Sequence, residues 1–392
     1  MAILDVKCIC PSCFNEINLG ECKIVSGKTA GRVLAYPSKN RFGVWKVEPL
    51  DGPKYTLELA RRQCTNRECN YILPPNIESV PSITLAVVGD TYSGKSHYIA
   101  SLIHQIKAKW IGNAAGFARL NCLTPDVENY YTNEYFDVLF RRKQIIGLTK
   151  PSAPDQLTGI VGQHKPLIYK LAFSTSLNRL PKTINLMIYD VSGEDFATQG
   201  RFVDYARFAF TTNAFVFVID PITIDSFFNE LDPAIQPVFQ NQFLITQNFR
   251  ASLRLSETID ILESYYGLSS GSSLSNLPVA VMISKADLLQ RLNPPYKLLS
   301  GHIFFNEPEY GHGVNLRDLD EVDLAARDVL KTFRQDDIFA ATGRFRRLKF
   351  FATSATGESP DAGGYFQSVA PTRCLDPLLW ILHQLKFIEG RK

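Results

Sequence analysis

The segment Gly89-Asp-Thr-Tyr-Ser-Gly-Lys-Ser96 constrains the fold of this chain more than any other. It matches the pattern G-x-x-x-x-G-K-S, follows the apolar run 82–88 (SITLAVV) and precedes a helical stretch over about 96–110. Such a run is typical of a strand buried on both faces. Between a strand and a helix, the glycines let backbone N–H groups point at an anion, and the helix offers it its positive N-terminal end. The sequence therefore predicts a phosphate-binding loop, hereafter the phosphate loop (residues 89–96).

The phosphate loop predicts a role for each of its polar residues. Lys95 is placed to reach the β- and γ-phosphates of a nucleotide, and the Ser96 hydroxyl to ligate Mg²⁺. A chance match is the alternative, but the strand and helix on either side favour nucleotide binding. The other predicted nucleotide contacts here are Gly89, Asp90, Ser93, Gly94 and His97.

Further apolar runs indicate the fold class. These apolar runs occupy residues 183–189, 215–219, 278–283 and 348–352. Helical patterns lie between most of them, and a helix predicted over 376–387 follows the last. Strands that alternate with helices predict an α/β fold with a doubly wound, mostly parallel sheet. We expect it over residues 79–392, with a long insert at about 111–181 and a helical stretch at 227–264.

A second motif, Asp190-Val-Ser-Gly193, ends the run 183–189. In proteins with a phosphate loop, an Asp at this place holds Mg²⁺, usually through water, and the Gly N–H can meet the γ-phosphate. A plain strand-ending turn is the alternative, which the phosphate loop upstream disfavours. Asp190 and Ser96 are therefore the predicted magnesium ligands. The candidate catalytic residues are Lys95, Asp190, Gly193 and Glu194.

A third motif, Ser284-Lys-Ala-Asp287, follows the run 278–283 and indicates which base is bound. Asp287 can accept two hydrogen bonds from the N1 and N2 groups of guanine, which adenine cannot supply. The stem of Lys285 can lie over a purine ring. The alternative is the capped start of a helix, where Ser and Asp are common. Because the motif follows the phosphate loop in order and stands at a strand end, it favours guanine.

Together the motifs resemble those of the TRAFAC-class GTPases, which include the Ras-like proteins and translation factors, over about residues 82–387. Ser284-Lys-Ala-Asp287 looks like their N/T-K-x-D motif, with Ser in place of Asn. Ser354-Ala355 stands where they place an S-A-K turn whose backbone N–H meets the guanine O6, with Thr356 in place of Lys. The resemblance implies GTP and GDP as ligands, Mg²⁺ as cofactor, and hydrolysis of GTP to GDP and phosphate in a switch.

A closer resemblance is to the bacterial double-GTPase group, in which one member of a pair is encoded near conflict or defence modules. It is carried by the cysteine-rich N-terminus, the segment 189–195 (YDVSGED) and the helix start 376–380 (DPLLW). This resemblance implies a second GTPase as a partner and a role in a bacterial conflict or defence system.

The chain departs from the GTPase pattern in three ways. Glu194 stands where Ras-like proteins have Gln. Its carboxylate has only acceptors, so it can act as a base or leave hydrolysis slow until a partner arrives. A non-hydrolysing GTP-binding adaptor is the main alternative function, and an ATPase is a weaker one. The switch threonine and the arginine finger are not assigned; their candidates are Thr149, Thr158, Thr124 and Thr175, and Arg141, Arg142 and Arg201.

Residues 1–78 contain six of the eight cysteines of the chain. Cys10-Pro-Ser-Cys13 and Cys64-Thr-Asn-Arg-Glu-Cys69 stand among short alternating runs typical of antiparallel strands. Two such pairs predict a closed, structural Zn²⁺ site with four thiolates, in a zinc-ribbon-like β module. Cys8 or Cys22 can replace one ligand, and a set of reduced core thiols is the alternative.

Charge and hydropathy limit the function classes. Lys plus Arg (42) nearly balances Asp plus Glu (39), which does not favour nucleic-acid binding. No stretch approaches the roughly 20 apolar residues of a membrane helix, and the first ten residues do not form a secretory signal. We therefore expect a cytoplasmic protein without a membrane span that binds a guanine nucleotide and docks an unidentified protein partner.

Overall fold

The computed structural model describes most of the chain. The described residues are 2–3, 7–27, 32–41, 44–49, 60–109, 117–147, 166–173, 183–190, 211–246, 251–269, 274–308 and 313–391. Six residues named above lie outside these ranges: Gly193, Glu194, Thr149, Thr158, Thr175 and Arg201.

The N-terminal part is β-rich. Its strands are β1 (Ala2–Ile3), β2 (Lys7–Ile9), β3 (Glu16–Asn18), β4 (Ile24–Ser26), β5 (Val33–Lys39), β6 (Trp45–Pro49) and β7 (Ala60–Arg62). Five of them form an antiparallel sheet in the order β1-β6-β5-β4-β7, and β2 and β3 form a separate hairpin. Short antiparallel strands were expected here from the alternating runs.

A seven-stranded sheet forms the centre of the rest of the chain. Its strands are β8 (Ser82–Gly89), β9 (Phe117–Cys122), β10 (Leu167–Phe173), β11 (Thr183–Asp190), β12 (Ala214–Ile219), β13 (Pro278–Ile283) and β15 (Arg347–Ala352), while β14 (Val314–Asn315) pairs with β16 (Gly390–Arg391). The order is β15-β13-β12-β8-β11-β10-β9. The strands pair in parallel except that β10 is antiparallel to both its neighbours. The expectation of an α/β protein with a mostly parallel sheet is confirmed at this level.

The long insert contributes to the sheet, although the sequence did not predict its elements. Residues 111–181 supply two strands, β9 and β10. Between these strands the chain forms α2 (Pro125–Tyr131), which continues into a π-helix, Thr132–Arg141. The insert therefore extends the sheet by two strands on the side of β11.

The helices follow the expected order but differ in their bounds. They are α1 (Lys95–Lys109), α2, α3 (Asp225–Phe228), α4 (Gln236–Thr246), α5 (Ala251–Ser269), α6 (Leu316–Thr332), α7 (Asp336–Thr342) and α8 (Asp376–Gln384). The stretch 227–264, expected to be helical, is divided among α3, α4 and α5, with Asp232-Pro-Ala-Ile between the first two. The last helix ends at Gln384 rather than 387, and Lys386 adopts a left-handed backbone (φ 64°).

The N-terminal part packs on β11. The Tyr189 hydroxyl donates to the Pro11 carbonyl over 2.6 Å, and the rings of Tyr189 and Phe14 lie 5.4 Å apart. Asn76 Nδ2 also donates to Asn185 Oδ1 over 3.0 Å. The division of the chain at residues 78–79 stays a prediction.

The topology places the candidate site. After the central strand β8, the chain forms β9, β10 and β11 on one side of it. The strand order then reverses, because the chain crosses to form β12 on the other side of β8. Ligands of open α/β sheets bind at the carboxyl ends of the strands beside such a reversal. The phosphate loop leaves β8 at this end. Among the described residues, no helix is both long and apolar enough to span a membrane.

Candidate functional site

A cavity of about 340 Å³ lies at the carboxyl ends of β8, β13 and β15. That volume is within the usual range of small-molecule sites, about 300–1,000 Å³. The phosphate loop, the third motif and the turn after β15 meet in its wall. Of the predicted nucleotide contacts, those lining it are Ser93, Gly94, Lys95, Ser96, His97, Ser284, Lys285, Asp287 and Ala355.

Two positions of the phosphate loop require glycine. Gly94 has φ +87°, a conformation that residues with a side chain rarely adopt. A Cβ atom on Gly89 would lie 2.6 Å from the Val218 carbonyl oxygen of the neighbouring strand β12. The loop thus folds tightly against β12, and its last two residues, Lys95 and Ser96, begin α1.

Lys95 is buried beneath the phosphate loop. Its Nζ donates to the carbonyl oxygens of Gly89 (2.8 Å) and Asp90 (2.6 Å). Burial lowers the pKa of Lys95 to about 8, and the negative charge of Asp190 opposes this shift. A phosphate group beside the ammonium group favours its charged form, so the residue is suited to binding an anion.

Asp190 is the last residue of β11 and lies close enough to Lys95 to affect its pKa. The Tyr135 hydroxyl, from the π-helix of the insert, donates to Asp190 Oδ2 over 3.0 Å. Sequence reasoning missed Tyr135, for which no motif is available. The Asp190 carboxylate and the Ser96 hydroxyl are oxygen ligands of the kind that Mg²⁺ takes, so the residues fit the predicted metal site chemically.

Lys285 joins the third motif to the phosphate loop. Its Nζ donates to Asp220 Oδ2 (2.5 Å), Gln242 Oε1 (3.1 Å) and the Tyr92 carbonyl oxygen (3.2 Å). Ser284 beside it donates its hydroxyl to the Ile219 carbonyl over 3.2 Å. Ser284 therefore does not act as the helix cap that the alternative interpretation requires.

Asp287 faces the cavity and contacts the turn after β15. The Ser354 hydroxyl donates to Asp287 Oδ1 over 2.5 Å and accepts from Gly357 N over 2.8 Å. Burial raises the pKa of Asp287, and the hydrogen bond from Ser354 opposes that shift. Ser354 thus holds Asp287 in place, and its own contact with a nucleotide stays a prediction.

Residues 145–147, in the middle of the insert, also line the cavity, which the sequence did not indicate. Ile146 N donates to His97 Nε2 over 3.1 Å, and Ile145 N donates to the Gly364 carbonyl over 2.9 Å. Burial lowers the pKa of His97 to about 4, so its ring is neutral and can accept this bond. His97 therefore anchors the segment Ile145–Gly147, which lines the cavity.

Two of the described candidates for the switch threonine and the arginine finger make side-chain contacts within the insert. The Thr124 hydroxyl accepts a hydrogen bond from Val127 N and caps α2, which begins with Pro125. Arg141 pairs with Asp137 on the surface, and Arg142 is exposed. These contacts give Thr124 and Arg141 local roles in the insert.

The four predicted zinc ligands form one cluster. The Sγ atoms of Cys10 and Cys69 lie 3.8 Å apart, those of Cys13 and Cys64 lie 3.7 Å apart, and all four lie within 4.8 Å of one another. Tetrahedral Zn–S bonds of about 2.3 Å place sulfur atoms about 3.8 Å apart. The cluster therefore fits Zn²⁺, and the residues can hold such a metal.

The local backbone explains why these cysteines meet. Cys10 and Cys13 lie in the turn between β2 and β3, where Phe14 N donates to the Cys10 carbonyl over 3.0 Å. Cys64 and Cys69 lie after β7, where Cys64 N donates to the Tyr71 carbonyl over 2.8 Å. Cys8 and Cys22, the alternative ligands, are not in the cluster, which consists of the C-x₂-C and C-x₄-C pairs. Burial raises the pKa of Cys64 to about 12, so the metal must displace its proton.

The known proteins that this chain resembles share less than a quarter of its residues over the aligned regions. A scan against protein-family descriptions finds no match. Over 330 residues the chain is 24% identical to a Mycolicibacterium smegmatis protein described as "Putative ESX-1 scaffolding and assembly protein SaeC", covering 80% of this chain and 77% of that protein. Among solved structures, the GTPase-like domain of S. cerevisiae Ski7 bound to GTP is similar at 14% identity with a TM-score of 0.31. That match covers 79% of this chain and spans about half (51%) of the solved chain.

Proposed function

We propose that this protein is a Mg²⁺-dependent GTPase that acts as a nucleotide-controlled switch. The observation that carries the proposal is the cavity whose wall combines the phosphate loop with Lys285, Asp287 and Ala355. A phosphate-binding loop and a half-buried carboxylate in one cavity suit a ligand with a phosphate at one end and a guanine base at the other.

Each side chain has a stated role in the proposal. Lys95 and the loop amides bind the phosphates, and Asp287 accepts hydrogen bonds from the guanine N1 and N2 groups. Mg²⁺, held by Ser96 and Asp190, supplies charge stabilisation for the transferred phosphoryl group. Glu194 and Gly193 lie beyond the described residues, and their roles beside the γ-phosphate stay predictions.

A second candidate function is a GTP-binding adaptor that does not hydrolyse the nucleotide and docks proteins through its cysteine module. It is favoured by the relative from Mycolicibacterium smegmatis, whose description names scaffolding and assembly. The resemblance to the bacterial double-GTPase group, with a second GTPase as partner and a conflict or defence role, also stays a prediction.

A turnover assay with GTP and ATP separates the candidates. The switch hydrolyses GTP with Mg²⁺ and leaves ATP unchanged. The adaptor binds GTP and releases it intact in single-turnover conditions. Hydrolysis of ATP at a rate equal to that of GTP contradicts both proposals.

We expect intrinsic hydrolysis on the order of 10⁻³ s⁻¹ or slower, as in unassisted switch GTPases. The Glu194 carboxylate can accept from water but cannot donate to the γ-phosphate, and it adds negative charge beside a negative transition state. Glu194→Gln should therefore hydrolyse GTP faster with little change in GDP affinity. Phosphate release measured under single-turnover conditions tests this. A slower variant means that Glu194 acts as a base, and wild-type turnover within seconds contradicts the slow switch.

A further inference from the structure

The ammonium group of Lys285 is completely engaged by three acceptors from three different elements. Asp220 follows β12, Gln242 lies on α4 and Tyr92 belongs to the phosphate loop. An ammonium group has three N–H donors, so each acceptor uses one of them. Lys285 is thus held between the base side and the phosphate side of the cavity.

The two side-chain acceptors also hold each other. Gln242 Nε2 donates to Asp220 Oδ2 over 2.5 Å, and Ile222 N donates to Asp220 Oδ1 over 3.0 Å. Asp220 is 2% exposed, and its charge is paired with Lys285, whose side chain is 21% exposed. Buried charges of this kind are costly unless paired and hydrogen-bonded, so the network fixes both partners.

Two further observations describe how Lys285 is placed at the cavity. Its backbone is left-handed, with φ 50°, although it is not glycine. Such residues persist where the surroundings hold them, and they are enriched at ligand sites. Its Nζ also lies 5.6 Å from the ring centroid of Phe239, one turn before Gln242 on α4. Both of these α4 residues line the cavity.

We propose that Gln242 and Asp220 are positioning residues of the guanine site, which hold the Lys285 stem where it can cover the purine ring. The inference rests on the proposed function and adds α4 and the end of β12 to the base site. Neither residue touches the nucleotide in this proposal; both act through Lys285. In this proposal α4 contributes to the preference for guanine and does not only pack on the sheet.

The test uses Gln242→Leu, which removes an acceptor from Lys285 and a donor from Asp220 at a half-buried position. We expect GDP affinity to fall about tenfold, the scale of a hydrogen bond to a charged group, while inorganic tripolyphosphate binds as before. Gln240→Leu, an exposed position on the same helix, is the matched control and should leave both affinities unchanged.

A double-mutant cycle shows whether Gln242 acts through Lys285. Lys285→Ala should weaken GDP binding by itself, and adding Gln242→Leu should cause little further loss. Asp220→Asn provides a second variant with the same expectation. If Gln242→Leu weakens GDP and tripolyphosphate binding equally, the inference is wrong. It is also wrong if Gln242→Leu causes its full loss of GDP affinity in the Lys285→Ala background. Neither result contradicts the proposed function. A folded wild type that binds tripolyphosphate but no GDP overturns the proposed function together with the inference.

Discussion

Asp287→Asn is expected to exchange the base preference of this protein from guanine to xanthine. The Asp287 carboxylate lines the cavity, and one of its oxygens is held by Ser354. An Asn side chain loses one of the two acceptors for the guanine N1 and N2 groups, but it can donate to the carbonyl oxygen that xanthine carries in place of the N2 amine. We expect GDP affinity to fall about a hundredfold or more and xanthosine diphosphate affinity to rise.

Competition binding of both diphosphates to wild type and variant measures this exchange. Asp337→Asn makes the same chemical change at an exposed position on α7 and should alter neither affinity. A gain in xanthosine binding also shows that the variant is folded. If Asp287→Asn keeps its guanine preference, Asp287 has only a structural role and the guanine site is wrong.

The protein as purified is expected to carry one zinc ion per chain, and Cys64→Ser is expected to lose it. The four thiolates fit a tetrahedral site, and the small clusters of buried residues in this part offer little other core. Structural zinc sites in small modules contribute about 10–16 kcal/mol of apparent binding free energy, so loss of the metal should unfold the surrounding residues. Elemental analysis gives the stoichiometry, and amide hydrogen exchange over residues 7–80 reports the unfolding.

Cys122→Ser serves as the matched control for the zinc prediction. Cys122 lies on β9 outside the cluster, and its thiol donates to the Thr124 carbonyl over 3.1 Å. This variant should keep one zinc ion and normal exchange protection near the N-terminus. A wild-type preparation that is free of metal yet protected from exchange over residues 7–80 would falsify the structural zinc site.

The parts of the site that the sequence predicted are those that rest on local patterns. The phosphate loop and the two cysteine pairs are short segments that their residue spacing identifies in the sequence. The strands β8, β11, β12 and β13 were predicted because both faces are buried, which gives continuous apolar runs. The order of the motifs along such strands then placed them at one edge of the sheet.

The parts of the site and the fold that the sequence did not predict depend on contacts between residues far apart in the chain. Lys285 contacts Asp220 and Gln242, which are 65 and 43 residues away in the sequence. Because each is a single polar residue outside any motif, the sequence gives no pattern that would connect them. Strand β9 (FARLNC) mixes polar and apolar residues because it lies at the edge of the sheet. Its pairing with β10 forms it in spite of that pattern. Tyr135 likewise reaches Asp190 only through the fold of the insert.

Equilibrium competition among GDP, GTP, ADP and ATP on zinc-loaded wild-type protein with Mg²⁺ tests the central claim most directly. The cavity joins Lys95 at the phosphate side to Asp287 at the base side. We expect both guanine nucleotides to bind at least about a hundredfold more tightly than their adenine counterparts, since adenine cannot supply the two hydrogen bonds that Asp287 accepts from the guanine N1 and N2 groups. Equal affinities for ATP and GTP, or the absence of binding by all four, contradict the account.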